Sequence, residues 1–417
     1  VLVQLNDFLL SIGKKEYVPI MLGGMGVDVS VPELALAVAG QNGIGHITDA
    51  MITATVDKHF HTHYVLDKLD QYRSLLGAHN NKQPIHFDLN ALGDAVRLFV
   101  GKTMDAKKDA GAIFLNVMEK LTMSAPHDTL QVRLRAAMDA GIDGITLGAG
   151  LHLGSLDMIK DHPRFRDVKL GIIVSSARAL HVFMRRAMRA ERMPDYIVVE
   201  GPMAGGHLGF PLNWRDFSLK EILQDILQMV KKEGLAIPVI AAGGVFTGSD
   251  AVELMQQGAA GVQVATRFAV TKESGLPYNV KQEFFRASEE DVVVNMISPT
   301  GYPMRMLRNS PAIGSGPMPQ CEAFGYILDG AGKCSYLNAY IREAATGERP
   351  VHVDEVTCLC TQMNSYKIWT CGQNVFRLKD TTNKLPDGSY QLPTAAQVFA
   401  DYQFSTDGHI SLPPLES

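Results

Sequence analysis

One histidine in this chain stands where it could move a proton. His207 follows an apolar run that closes on an acid and then a glycine-rich turn, IVVEGPMAGGHLG over residues 197–209. A strand ending in such a turn presents backbone and imidazole to a ligand. An imidazole with an unperturbed pKa of about 6.5 suits proton transfer near neutrality. Gly205 and Gly206 leave the ring little packing purpose; the plainer alternative is a histidine that only hydrogen-bonds within its turn.

Two later segments predict what lies beside it. Residues 237–247, IPVIAAGGVFT, run a buried strand into Gly243 and Gly244, and residues 259–269, AAGVQVATRFA, run another into Ala265 and Thr266. Paired glycines let backbone N–H groups approach an anion closely, and a helix beginning near Ser249 would aim its positive end at the same place. Two consecutive strand ends of this kind make a phosphate site. A sugar phosphate would fit those two loops as well; the glycine-rich loop GGMG at residues 23–26 and the GGHLG turn favour a planar cofactor.

These groups need a scaffold that gathers strand ends on one face. Strand signals fall at residues 17–22, 43–48, 112–118, 144–147, 170–175, 196–200, 239–242 and 261–265, with helical periodicity between them. The pattern predicts an α/β fold, a (β/α)8 TIM barrel, in which phosphates bind after strands seven and eight and catalytic groups line the same C-terminal face. A helix is expected over residues 31–41, with Ser30 as cap and Pro32 in its first turn. Residues 49–87 exceed an ordinary connection and read as an inserted segment with helical content. The expected organisation is a cofactor-binding barrel over residues 1–297, then a crossing segment and small C-terminal subdomain over residues 298–417.

Composition is compatible with this reading. The chain has 417 residues, 46% hydrophobic, and a formal charge of −5, which gives no reason to expect nucleic acid or an anionic membrane as partner. No apolar stretch reaches the roughly 18 residues of a transmembrane helix, and the N-terminal segment lacks the order of a secretory leader. A cytoplasmic protein is expected. The arginines at 178, 185, 186, 189 and 192 read as a solvated helix face, and the alternating His59, His61 and His63 as a wet surface in preference to a metal site.

Past the barrel the chain changes character. Residues 298–320 are punctuated by proline and glycine, and all five cysteines (Cys321, Cys334, Cys358, Cys360 and Cys371) lie beyond them. Their spacing lacks paired CxxC knuckles, so buried thiols in a small helical subdomain are the expectation. Four thiolates on zinc or an iron–sulfur cluster are the alternative, and no metal ligand is assigned.

Several ordered motifs together resemble the nitronate monooxygenases, also called 2-nitropropane dioxygenase-like flavoproteins, a family that includes FMN-dependent enoyl-acyl-carrier-protein reductases. They are PIMLGGMGVDVSVPELALAVAGQNGIGHI, FLNVM, GAGL, IIVSSARA, VVEGPMAGGHLGF, IPVIAAGG and GVQVATRF, spread over about residues 17–310. The resemblance implies FMN at the mouth of the barrel. Gly23, Gly24, Met25 and Gly26 match the segment along the isoalloxazine, and Asn116 a polar residue near the ring. Ser175 matches a strand end and Gly206 the flavin-side turn; Gly243, Gly244, Ala265 and Thr266 match the phosphate loops, and His207 the catalytic base. Leu22 replaces a family glutamine and Ala265 a family glycine, the second still leaving a backbone N–H for phosphate. The tail segment TCGQNVFRL also has counterparts in some relatives.

The implied reaction is oxidation of alkyl nitronates, or nitroalkanes, by O2 to carbonyl compounds and nitrogen oxyanions. The implied partners are small molecules, with homo-oligomerisation left open. Two other readings stand beside it. One is an NAD(P)H-dependent FMN reductase acting on an enoyl thioester or quinone; the other is a non-catalytic cofactor-binding protein with a metal-binding tail.

Overall fold

Runs such as IVV and VIA are β-branched and apolar on both faces, which suits parallel strands covered inside and out. In the computed structural model, which describes residues 2–76, 82, 84–108, 110–119, 125–324 and 334–415, eight of them form one closed parallel barrel. The strands are β1 (Ile20–Leu22), β2 (Ile44–Thr48), β3 (Ala112–Met118), β4 (Gly144–Gly148), β5 (Lys169–Val174), β6 (Tyr196–Glu200), β7 (Val239–Ala242) and β8 (Gly261–Val264). Pairing of β8 with β1, Val262 opposite Ile20, closes the ring.

The expected first strand divides in two. Pro19 has no N–H to offer a ladder. Residues before it form Lys15–Tyr17, antiparallel to Leu10–Ile12, and residues after it form β1. The hairpin packs Leu10, Ile12 and Tyr17 against Ile44, Ala112 and Phe114, stopping the N-terminal end of the barrel with apolar side chains. Farther in, His46 bridges the lumen: Nδ1 lies 2.6 Å from the Leu22 carbonyl and Nε2 2.5 Å from Thr146 Oγ1, which is 2.5 Å from the Tyr196 hydroxyl. Burial lowers the pKa of His46 to about 4, so this is a neutral, satisfied core histidine.

The first barrel helix is Pro32–Ala39, and its N-cap is Val31. Ser30 does different work from the cap expected of it. Its hydroxyl donates to the Gly23 carbonyl and accepts from the Met25 N–H, both at 2.9 Å, tying the glycine loop after β1 to the start of the helix. Within the 49–87 insertion the described residues form helices Ile52–Phe60 and Tyr64–Gln71; residues 77–81 and 83 lie outside the described set. Helix Ala177–Arg189 exposes Arg178, Arg185, Arg186 and Arg189, whereas Arg192 is buried and donates to the carbonyls of Phe165 and Val168.

The eighth helical position of the outer ring is filled from the far end of the chain. Helix Ala395–Phe404 packs between Pro32–Ala39 and Gly248–Gln256, and its Ala395, Val398, Phe399 and Tyr402 join the main core with Leu34 and Val38. Arg267, just after β8, pairs with Asp401 of that helix at 2.7 Å, both fully buried. No helix among the described residues is long and apolar enough to cross a membrane.

Candidate active site

The expected site residues gather on the rim formed by the C-terminal ends of the strands. After β1, the Gly23 N–H donates to the Val264 carbonyl at 2.8 Å, and a Cβ on Gly23 would stand 2.8 Å from that of Ala265. A Cβ on Gly24 would collide with Asn116 at 2.4 Å, so the loop lies directly on the β3 amide. Asn116 is buried, and Met25 packs partly against the core. Gly243 and Gly244, after β7, have φ of 93° and 95°, a conformation in which any other residue would be strained. Thr266 opens the short helix Thr266–Ala269 after β8.

His207 stands on a two-residue strand, Gly206–His207, set against the crossing segment: Met304 pairs with His207 and Arg305 with Gly206. Its Nε2 lies 2.7 Å from Ser298 Oγ, itself 2.8 Å from Thr300 Oγ1. The Ser298 hydroxyl can accept from or donate to Nε2, so it holds the ring in place in either tautomer and leaves Nδ1 for the rim. Although partly open to the rim, His207 is enclosed on most sides. Burial lowers its pKa to about 4 and leaves it neutral at pH 7.

Three more groups at this rim had no assigned role in the sequence. Glu200, the acid that ends β6, accepts from the Gly209 N–H at 3.2 Å, and the Ser175 hydroxyl donates to the Gly209 carbonyl at the same distance. Burial raises the pKa of Glu200 to about 7, against the lowering effects of that hydrogen bond and of Arg305. Arg305 is fully buried over the Trp214 ring, 4.2 Å from its centroid, and donates to the carbonyls of Pro202 and Ala204, which hold the turn before Gly205. Its Nε and Nη2 are buried without a hydrogen-bond partner.

The third contributor is the tail. Asn374 Nδ2 donates to the Gly244 carbonyl at 2.8 Å, and the Gln373 N–H to the Met203 carbonyl at 3.1 Å. A Cβ on Gly372 would stand 2.6 Å from Thr266 Oγ1, and one on Gly205 the same distance from the Cys371 carbonyl carbon. The CGQN segment therefore lies across the turns after β7 and β8 and against the histidine turn. On the opposite side, Asp28 in the glycine loop is bound by His59 Nε2 at 2.6 Å and by the Tyr366 hydroxyl, with Lys58 at 3.6 Å.

The family model for nitronate monooxygenases matches residues 8–326, about three quarters of the chain, and so takes in this whole arrangement except Tyr366 and the CGQN segment. The chain belongs to the nitronate monooxygenase family. Membership places it among oxidoreductases. It is 32% identical over 170 residues to a (3aS,4S,5R,7aS)-5-hydroxy-7a-methyl-1-oxo-octahydro-1H-indene-4-carboxyl-CoA dehydrogenase of Mycobacterium tuberculosis, covering 41% of this chain and 44% of that protein. It is 36% identical over 102 residues to a probable nitronate monooxygenase of Staphylococcus haemolyticus, covering 24% and 28%. In each case the match spans less than half of the relative's length. Among solved structures, a nitroalkane oxidase from Streptomyces ansochromogenes superposes with TM-score 0.58 at 16% identity over 95% of this chain and 96% of that one. FabK from Thermotoga maritima superposes with 0.53 at 20% over 92% and 91%. At those identities the likeness is one of fold.

Proposed function

We propose that this protein is an FMN-dependent oxidoreductase that oxidises alkyl nitronates with O2, yielding carbonyl compounds and nitrogen oxyanions. The observation that carries the reading is a neutral His207 held by Ser298 on the rim that also bears the glycine turns after β1 and β7 and the Ala265–Thr266 turn after β8. The residues present suit FMN. The left-handed Gly243–Gly244 turn and the start of the Thr266–Ala269 segment offer backbone donors to a phosphate, the Gly23–Gly26 loop and Asn116 offer a flat polar wall, and Arg305 retains two buried donors without partners. Bound there, FMN would supply two-electron redox chemistry and reactivity toward O2.

The protein's own task is then to bind and orient an anion and to manage one proton. A base with a pKa near 4 takes an α-proton from a neutral nitroalkane poorly, because efficiency is greatest when the pKa lies near the working pH. A nitronate needs no such removal. That favours nitronate over nitroalkane as substrate, with His207 orienting the anion by an Nδ1 N–H in the tautomer whose Nε2 accepts from Ser298. Glu200, near pKa 7, is the rim group able to hold or release a proton at neutral pH.

A second reading, an NAD(P)H-linked flavin reductase acting on a thioester, draws support from the similarity to the CoA-thioester dehydrogenase. An anaerobic absorption titration of the purified protein separates the two. Bleaching of a flavin band by a small alkyl nitronate and not by NADH is the expected result. Bleaching by NADH alone would overturn nitronate oxidation, and absence of any flavin band after FMN reconstitution would overturn both readings.

A further inference from the structure

Four of the five cysteines, far apart in sequence, converge. Cys321, Cys334, Cys358 and Cys360 line a single small pocket, flanked by Pro299, Pro319, Tyr336 and Leu359 and partly open to solvent, with about 10 Å³ of free space between them as thiols. All four are thiols. The fifth, Cys371, lies elsewhere, against Gly205. Three separate pieces of the tail are needed to make this convergence: helix Cys321–Phe324, the residue preceding helix Ser335–Ala344, and the Cys358–Cys360 stretch that opens helix Leu359–Asn364.

Cations stand behind the thiols. Lys68, on the inserted helix Tyr64–Gln71, is buried and donates to the backbone carbonyls of Cys321 and Glu322, each at 3.2 Å. Lys82, also buried, pairs with Glu322. Two buried ammonium groups against one carboxylate leave a local positive charge, which offsets a set of thiolates and is costly without one.

We propose that Cys321, Cys334, Cys358 and Cys360 hold a [4Fe–4S] cluster in the tail. A single zinc ion would draw its ligands close, each sulfur about 2.3 Å from the metal. Among the described residues no group of three or more His, Cys, Asp or Glu is placed to hold one ion. A cubane takes one thiolate at each iron corner and keeps the four sulfurs farther apart, in an apolar setting of the kind Pro299, Tyr336 and Leu359 provide. The location has a consequence for the rim. Pro299 follows Ser298, the partner of His207, and Cys360 and Leu359 pack against Met304 and Met306 on the strand that pairs with His207. The cluster therefore stands directly behind the histidine strand.

The test uses the full chain, prepared anaerobically and reconstituted with ferrous iron and sulfide, with iron, zinc and acid-labile sulfide measured per chain. About four irons and about four sulfides per chain are expected, with a low-temperature EPR signal after dithionite reduction. Cys358→Ser and Cys360→Ser should each lose most of the iron, and Cys371→Ser should keep it. About one zinc per chain without sulfide, or neither iron nor sulfide in the wild-type chain, would overturn the proposal. Equal iron loss in Cys371→Ser would overturn the assigned ligand set. None of these readouts depends on nitronate turnover, so the two proposals fail separately.

Discussion

The barrel and the tail are built by different rules. In the barrel, each strand is a short apolar run, each connection a helix with a buried stripe, and neighbours in space are mostly neighbours in sequence. In the tail, residues 298–324 and 334–415 contribute short helices, 3₁₀ turns and proline-rich stretches, with a small apolar cluster of their own around Tyr336, Val351 and Val353. Yet the tail is not ornamental. It provides Ser298 to the histidine, Arg305 to the turn before it, Asn374 to the β7 turn and a helix to the outer ring. Periodic sequence makes the frame here, and aperiodic sequence finishes the site.

The sharpest way to break that comparison is to cut one buried ion pair in each region. Asp401→Ala leaves Arg267 charged and uncompensated at the junction of tail and barrel, and Asp49→Ala does the same to Arg133 between β2 and the helix Pro126–Asp139. Each should lower unfolding stability by about 3–5 kcal/mol in urea titrations. A loss under about 1 kcal/mol for Asp401→Ala alone would make the tail a separable attachment.

The next effect is catalytic. His207→Asn should slow oxidation of a neutral nitroalkane on the order of 100-fold, the low end for general-base loss because this base is weak, and preformed nitronate much less. Steady-state rates with both substrates decide it, and equal losses would remove proton abstraction as a role.

Asn374→Ala deletes one hydrogen bond from the tail to the Gly244 carbonyl. At about 1 kcal/mol it should weaken flavin retention about 5-fold by fluorescence titration. Unchanged affinity would mean that the CGQN segment covers the β7 turn without supporting it.

The smallest effect is a pH limb. Glu200 with a raised pKa is protonated below about 7 and ionised above it, whereas His207 with a lowered pKa stays neutral until the pH falls toward about 4. A kcat/KM profile should therefore bend near pH 7 in the wild-type chain and lose that bend in Glu200→Gln, with the acid limb near 4 retained. A single bend near 6.5 in both would return His207 to its ordinary value.

How much could be read in advance follows the same division. The eight strands were predictable because burial on both faces leaves a composition signal that survives without tertiary context, and the Gly243–Gly244 turn because positive φ restricts residue choice. Pro19 showed where the first strand breaks, but the hairpin before it has little periodicity of its own. Glu200 was visible as the acid closing β6, yet its raised pKa comes from enclosure by distant segments. Ser298, Arg305 and Asn374 left no local trace: they meet their partners across 91, about 100 and 130 residues. Ser30 matched a cap signal, and the glycine loop won the competition for its hydroxyl.

The helix that completes the outer ring has one more implication, for the order of events during synthesis. Helix Pro32–Ala39 is made more than 350 residues before its covering partner, Ala395–Phe404; the Gln4 side chain donates to the Phe404 carbonyl, and Gln403 to Asn6. A nascent chain that has finished all eight strands still lacks the cover over Leu34 and Val38 and the amide that braces the β7 turn. The ring is sealed only once residues 395–404 have emerged from the ribosome, so a chain released before them leaves the apolar face of Leu34 and Val38 sticky.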